Sequence, residues 1–265
     1  MKRLIAFDLD GTLAESKQPL GADMASALAA LLNVAQVAVI SGGDWPQFGK
    51  QVALRLPAET RRERLWLMPT TGTKLYRFVE NEWRRIYAEV FSDEEQAKIL
   101  TAFDEAFRET GLMEGAIWGD RIEDRESQIT FSGLGQKASL EQKMAWDPDH
   151  TKRKALQRVL RARLAGFSVN IGGTTSIDVT RGGVDKAYGL QRLSEISGIS
   201  LGEMLFIGDA IFPGGNDYPA AELGLDVVRV RDVVETKSVV GAITACLAPD
   251  QPDSIGNAAI ADGDA

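Results

Sequence analysis

Asp8 and Asp10 stand directly after the apolar run Leu4-Ile5-Ala6-Phe7, in the string Asp8-Leu9-Asp10-Gly11-Thr12. Ser41 and Gly42 follow Val37-Ala38-Val39-Ile40 in the same way, and Asp209, then Asp217, follow Met204-Leu205-Phe206-Ile207. Short apolar runs that stop at polar residues and glycine are the pattern of buried parallel strands. Open parallel sheets bind ligands beyond the carboxyl ends of those strands. The remaining group, Lys186, opens a helical stretch, and a helix N-terminus beside the same crevice also favours an anion. Carboxylates, a hydroxyl and an ammonium are therefore expected along one edge of a sheet.

Scarce residues narrow the chemistry further. The chain has one histidine, His150, and one cysteine, Cys246. A Ser-His-Asp triad would have to use His150, a two-histidine zinc site is impossible, and no internal disulfide can form. His150 follows Asp147-Pro148-Asp149 ahead of a basic helix, the setting of a solvated surface residue. Carboxylates, lysine and a hard metal ion are what remain for catalysis.

The elements that position these groups follow from periodicity. Residues 23–32, dominated by Ala and Leu, make a crossover helix between the first two strands. Leu65-Trp66-Leu67-Met68 predicts a third strand, and 74–86 a hairpin turning near Glu80-Asn81. The pattern then changes. Ser92-Asp93-Glu94-Glu95 is a capping box opening a helix with Ile99, Leu100, Phe103, Ala106 and Phe107 on one face and Gly111 at its end. A second helix is expected from Asp147-Pro148, burying Leu156, Val159, Leu160 and Leu164 and stopping at Gly166. The segments 128–131, 167–171 and 176–179 alternate as antiparallel strands do. A parallel pattern returns with a helix over 185–196, the strand at 204–207, a strand over 227–230 and a helix over 238–247. Residues 1–82 and 185–248 thus form an α/β core, 83–184 an inserted α+β unit, and 249–265, rich in Asp, Gly and Ala, a disordered tail.

Composition excludes several functions. A chain of 265 residues, 44% hydrophobic and 26% charged, can bury two cores. Its net charge of −8 argues against nucleic-acid or anionic-membrane partners, which need a basic footprint. No apolar run approaches the roughly 20 residues of a membrane span, and the first residues do not suit a signal peptide. A cytoplasmic location is expected.

Asp8-Leu9-Asp10-Gly11-Thr12 resembles the D-x-D-G-T signature of the haloacid dehalogenase superfamily, and Ile40-Ser41, Lys186 and Gly208-Asp209 fall in the order of its other motifs. The resemblance implies an α/β fold with a Rossmann-like parallel-sheet core and an inserted α+β cap of antiparallel sheet and helices. Within subfamily IIB the chain is similar to the eukaryotic-type phosphomannomutases and related sugar-phosphate phosphatases. Pro213-Gly214-Gly215-Asn216-Asp217 and Ile171-Gly172-Gly173-Thr174-Thr175-Ser176-Ile177-Asp178-Val179, with Asp185-Lys186 following, carry that closer likeness.

The residue types suit such chemistry. An aspartate is already ionised at neutral pH and needs no base to become a nucleophile, so attack on phosphorus gives a phosphoaspartate. By resemblance, Asp8 is the nucleophile and a Mg²⁺ ligand. Asp10 is the proton donor and acceptor, its carbonyl touching the ion. Ser41 and Gly42 bind the transferring phosphate, Lys186 holds Asp8 and the phosphate, and Asp209, with Asp217, completes the metal site. Plainer readings exist: Ser41 could cap the helix after Gly42-Gly43, Lys186 could be a solvated helix lysine, and Asp217 could only close a tight loop.

In the cap, the resemblance assigns substrate contacts to Arg125, Gln136, Lys143, Ser176 and Asp178. Mutases of this family grip a second phosphate with several arginines. Here Arg125 matches one of them, while Gln136 and Lys143 stand at two others and Lys17 at a core arginine. Losing bidentate forks weakens anchoring of a distal phosphate. The expected activity is hydrolysis of a sugar phosphate, a hexose phosphate above all, with phosphomannomutase, interconverting mannose 1-phosphate and mannose 6-phosphate, as the alternative. A surface ion pair of Arg125 with Glu123 or Glu126 is its plainer reading. A sugar-phosphate sensor without turnover is disfavoured by the intact set Asp8, Asp10, Lys186 and Asp209. The family likeness also suggests a homodimer through the cap.

Overall fold

The computed structural model describes residues 1–112 and 115–249. Of the stretch expected to be a tail, all but Pro249 lies outside the described residues. The chain begins with β1 (Leu4–Phe7), α1 (Ala22–Val34), β2 (Gln36–Ile40), a one-turn α2 (Trp45–Phe48) running into a π-helical turn at Gly49–Ala53, β3 (Leu65–Met68) and the hairpin β4 (Lys74–Val79) and β5 (Glu82–Ala88). Glu80 and Asn81 turn that hairpin with positive φ at both, 51° and 66°, as a two-residue connection between twisted strands requires.

An insert follows: α3 (Asp93–Thr110), β6 (Ile122–Asp124), β7 (Ile129–Ser132), α4 (Leu140–Trp146), α5 (Thr151–Arg163), β8 (Phe167–Gly172) and β9 (Ser176–Arg181). The chain returns through α6 (Lys186–Ser197), β10 (Met204–Gly208), α7 (Tyr218–Glu222), β11 (Asp226–Arg229) and α8 (Val233–Leu247).

Seven strands form one sheet in the order β11-β10-β1-β2-β3-β4-β5, parallel from β11 to β3 and closed by the antiparallel hairpin. Side chains alternate between its faces. Ile5, Phe7, Val37 and Val39 pack under α1 and α8 against Leu28, Leu31, Leu32 and Val240. Leu4, Ala6, Ala38 and Ile40 pack with Leu190 and Leu193 of α6 and Ala220 of α7. Helices on both faces explain why these strands read as unbroken apolar runs. The hairpin belongs to this sheet, so the sheet continues past residue 82, where sequence periodicity alone divides the chain.

The insert builds a second, antiparallel sheet in the order β6-β7-β9-β8. Its apolar face, with Ile129, Phe131, Ile177 and Val179, packs on Ile99, Phe103 and Phe107 of α3 and Leu156 and Leu160 of α5. The alternate residues pair Thr130 with Asp178 and Ser132 with Ser176, leaving a polar face on the other side.

Several expectations are corrected in detail. Leu100 is exposed, and Ala102 takes its place in the buried stripe of α3. The helix expected from Asp147 begins at Thr151, because the Asp147 carboxylate turns back to accept from the backbone N–H of Lys152 and Arg153 at 2.9 and 3.1 Å. The sequence reading lacks β6, only three residues long, and α4, whose apolar Leu140 and Met144 face outward and leave no stripe. The last helix starts at Val233, earlier than residue 238, on the cap supplied by Asp232.

Arg153 and Asp147 form an ion pair at 2.8 Å with both side chains about 1% exposed, and the guanidinium also donates to the carbonyls of Gly172 and Gly173 at 3.0 and 2.6 Å. Removing one partner of such a pair leaves an uncompensated buried charge. Arg153→Ala is expected to cost about 3–5 kcal/mol, read as a lowered melting temperature by circular dichroism; a melt within a degree of wild type would contradict this account of the insert.

Candidate active site

β1 lies between β2 and β10, where the strand order reverses, and Phe7 is in register with Ile207. Asp8 and Asp209, each just beyond those residues, therefore come together at the crevice such a reversal opens. The N–H of Asp8 still bonds the carbonyl of Ile207 at 3.0 Å, so ladder geometry itself sets the start of the loop. Gly11 is left-handed, with φ 88°, and a Cβ there would lie 2.8 Å from Asp209 Oδ2. Thr12, fully buried, clasps Asp209 by donating to its carboxylate at 3.3 Å and accepting from its N–H at 3.1 Å.

Lys186 is the first residue of α6, whose N-terminus is capped by the Asp185 side chain accepting from Tyr188 N–H at 2.9 Å. It is 2% exposed and donates to Asp8 Oδ1 at 2.6 Å and to Asp217 Oδ1. Asp217 is completely buried, its second oxygen accepting from Ala210 N–H at 3.0 Å. Lys186 is thus no solvated lysine, and Asp217 does more than close a loop. One carboxylate oxygen from each of Asp8, Asp209 and Asp217 lies within 4.8 Å of the others.

The side chain of Asp10 does not join this trio. Its oxygens accept from Lys17 N–H at 2.7 Å, from Gln47 Nε2 at 3.2 Å and from Gln51 Nε2 at 3.3 Å. Ser41 is buried beside Gly42, and its carbonyl accepts from Thr71 N–H at 2.9 Å, which ties the loop after β2 to the loop after β3. It caps no helix, because α2 starts at Trp45 after Asp44.

Three carboxylates beside one ammonium leave an excess of negative charge in a buried place. Burial pushes the Asp8 carboxyl up to about 7, Lys186 opposing and Asp217 adding to the rise. Burial and Asp217 likewise raise Asp209. Burial alone would depress Lys186, yet Asp217 and Asp8 drive it above the ordinary lysine range, so it stays an ammonium. Hard oxygen donors with unbalanced charge are what a divalent cation requires, and the trio fits one.

The polar face of the second sheet meets this edge. Arg125, on the turn between β6 and β7, is buried, donating to Gly42 O at 2.7 Å and to Glu123 Oε2 at 2.7 Å. The Glu123 pair is present, with its arginine end buried and its glutamate end 38% exposed. Asp178 accepts from Thr130 Oγ1 at 2.7 Å; burial raises its carboxyl, with Arg125, Thr130 and Lys17 opposing. Ser176 is half-buried on the same face. Lys143 is buried and donates to Gln136 O at 2.9 Å, and burial followed by nearby Lys17 lowers its ammonium. Gln136 Nε2 is buried without a partner among the described residues. Sequence reasoning missed Gln47 and Gln51, whose i, i+4 spacing after Ser41-Gly42 was a usable signal. It also missed Gln128 and Thr130, which no motif marks.

The family model described as Eukaryotic phosphomannomutase matches residues 24–236. The chain belongs to the eukaryotic phosphomannomutase family. A member from Saccharomyces cerevisiae is 28% identical over 220 residues, 81% of this chain and 83% of the relative. Solved structures extend the likeness in fold alone. An IMP-bound Plasmodium falciparum IMP-nucleotidase superposes with TM-score 0.69 at 18% identity, covering 93% of this chain and 67% of the other. A haloacid dehalogenase-like hydrolase from Bacteroides thetaiotaomicron does so with TM-score 0.60 at 17% identity, covering 92% and 100%. The chain is an enzyme of this family, and its reaction class is phosphoryl transfer. None of its described helices is long and apolar enough to cross a membrane.

Asp8 supplies a test of the charge excess. Folded, its carboxyl titrates near 7 instead of 3.8, so between those values the folded protein holds a proton that the unfolded chain releases, and raising the pH removes stability. Lys186 is charged throughout this window and adds no slope. Metal-free protein is expected to melt several degrees lower at about pH 8 than at about pH 5. Asp8→Asn should flatten that fall, and a slope unchanged by the substitution in calorimetric melts would refute the assignment.

Proposed function

We propose that the enzyme is a Mg²⁺-dependent phosphatase of hexose phosphates that works through a phosphoaspartate on Asp8. The observation that carries the proposal is the clamp of Lys186 on Asp8 and Asp217, with Asp209 in reach of both carboxylates. Asp8, Asp209 and Asp217, with the carbonyl of Asp10, would hold the ion. When bound, Mg²⁺ supplies positive charge against the phosphoryl oxygens and the carboxylates.

The chain's own residues account for the remaining steps. Lys186 orients Asp8 for in-line attack, while Ser41 and Gly42 hold the phosphoryl oxygens. The bond from phosphorus to the sugar oxygen breaks as the bond to Asp8 forms. Asp10, fixed by Lys17 N–H, Gln47 and Gln51, gives its proton to the departing sugar oxygen. The same carboxylate then takes a proton from water, whose oxygen attacks the phosphoaspartate and releases phosphate. The inserted sheet acts as a cap over this site, with Ser176 and Asp178 facing the sugar.

Hydrolysis is favoured over transfer back to sugar by the state of the cap cations. A mutase must grip a distal phosphate while the first sits at Asp8. The fork of Arg125 is already divided between Glu123 and Gly42 O, and Gln136 brings no charge. A phosphomannomutase is the second reading, supported by the family match and by Lys17 and Lys143, two ammonium groups whose proximity suits an anion.

Phosphorus NMR of the protein with mannose 1-phosphate, Mg²⁺ and a trace of hexose bisphosphate separates the readings, since free phosphate and mannose 6-phosphate give different signals. Free phosphate is expected; isomerised sugar phosphate without net release would establish the mutase instead. Asp8→Asn and chelation of the metal should each lower turnover by roughly a thousandfold or more. Turnover that survives Asp8→Asn would eliminate the phosphoaspartate route.

A further inference from the structure

Gln128 is completely buried at the joint between the inserted sheet and the core. Its Nε2 donates to the carbonyl of Gly42 at 3.0 Å and to Thr130 Oγ1 at 2.9 Å. Thr130 in turn donates to Asp178 Oδ1 at 2.7 Å. The direction of every bond in this chain is forced by its ends. A carboxylate can only accept, so the Thr130 hydroxyl spends its proton on Asp178 and must accept from Gln128. A carbonyl can only accept as well, so the other N–H of the amide goes to Gly42. Both N–H groups are committed, the amide cannot be flipped, and its Oε1 is buried without a donor among the described residues.

Gln128 thereby connects a group of the core with a group of the inserted sheet. Gly42 belongs to the loop that receives phosphate, and Asp178 to the sheet that faces the sugar. Gly42 O keeps a second donor in Arg125, whereas Thr130 is the one hydrogen bond from a described side chain to Asp178, so loss of Gln128 falls chiefly on the Asp178 side.

We propose that Gln128 is a positioning residue for substrate selection: through Thr130 it orients Asp178 toward a hydroxyl of the sugar while registering the inserted sheet on the phosphate loop. The inference rests on the sugar-phosphate reading. It assigns sugar recognition to a relay of neutral groups in addition to the charged residues of the cap. A merely structural role would weaken all ligands alike, whereas a positioning role discriminates between a ligand with hydroxyls and one without.

The test measures binding and not turnover, so it stands apart from the NMR experiment. Mannose 6-phosphate and inorganic phosphate are titrated calorimetrically, with Mg²⁺, into full-length protein carrying Asp8→Asn, alone and combined with Gln128→Met, which keeps length but has no N–H. Affinity for mannose 6-phosphate is expected to fall about tenfold, while affinity for inorganic phosphate changes far less. Equal weakening of both, no weakening of either, or no binding of mannose 6-phosphate to the Asp8→Asn parent would overturn the proposal. Thr130→Val cuts the relay beyond Gly42 and should reproduce the selective loss, and Thr130→Ser should restore it. Selectivity unchanged in Thr130→Val would count equally against the relay.

Discussion

The structure is organised around a buried ammonium that lets three carboxylates share one end of a sheet. Asp8 and Asp217 are almost wholly removed from water, and neither could remain charged there without a cation against it. Lys186 supplies that cation from within the chain, bonded to both. Topology makes this possible. Asp8 follows β1, Asp217 lies in the loop beyond β10, and Lys186 starts the helix by which the chain returns from the insert. Only a fold that brings the chain back to the same sheet edge can assemble them. The balance is nevertheless incomplete, and the raised Asp8 carboxyl reflects what one ammonium cannot offset. The same excess makes the place receptive to a divalent ion.

The insert solves a different problem. One face of its sheet is apolar and covered by α3 and α5, which gives it a core of its own. The other face is polar and is turned to the loops after β2 and β3. Contacts made there include specific hydrogen bonds: Arg125 and Gln128 donate to the Gly42 carbonyl, and Thr73 donates to Ser127 at 2.7 Å. Bonds of this kind define a register between the two units through a few specific contacts. Lys74, 2% exposed, adds an ion pair to Glu126 of the same turn at 2.9 Å while also pairing with Asp44 at 2.8 Å.

Much of this was legible in the residue order, for identifiable reasons. Strands buried on both faces cannot tolerate polar residues, so β1, β2, β3 and β10 announce themselves as apolar runs and the polar residues that end them mark the ligand edge. The capping box at Ser92 and the left-handed pair Glu80-Asn81 are local chemistry, decided within a few residues. Elements without a stripe, such as α4 and the three-residue β6, carry no such mark. Asp147 misled for a related reason: an aspartate before proline looks like a helix start, but its carboxylate was claimed by Arg153 from the next helix.

Residue order alone therefore determined the nucleophile candidate, its companion carboxylates, the lysine and the alternation of parallel and antiparallel segments, because each depends on local pattern and on motif. Tertiary structure decided which charges touch. It turned Asp10 away from the acidic trio and toward two glutamines, drew Asp217 fully into the site, pinned Arg125 between Glu123 and a core carbonyl, and placed Gln128 at the joint. Those outcomes depend on the distance between segments far apart in sequence, as Asp8 and Lys186 are at a separation of 178 residues. Hydrogen bonds and ion pairs act over a few ångströms, so no spacing along the chain could specify them before the sheet order and the docking of the insert were known.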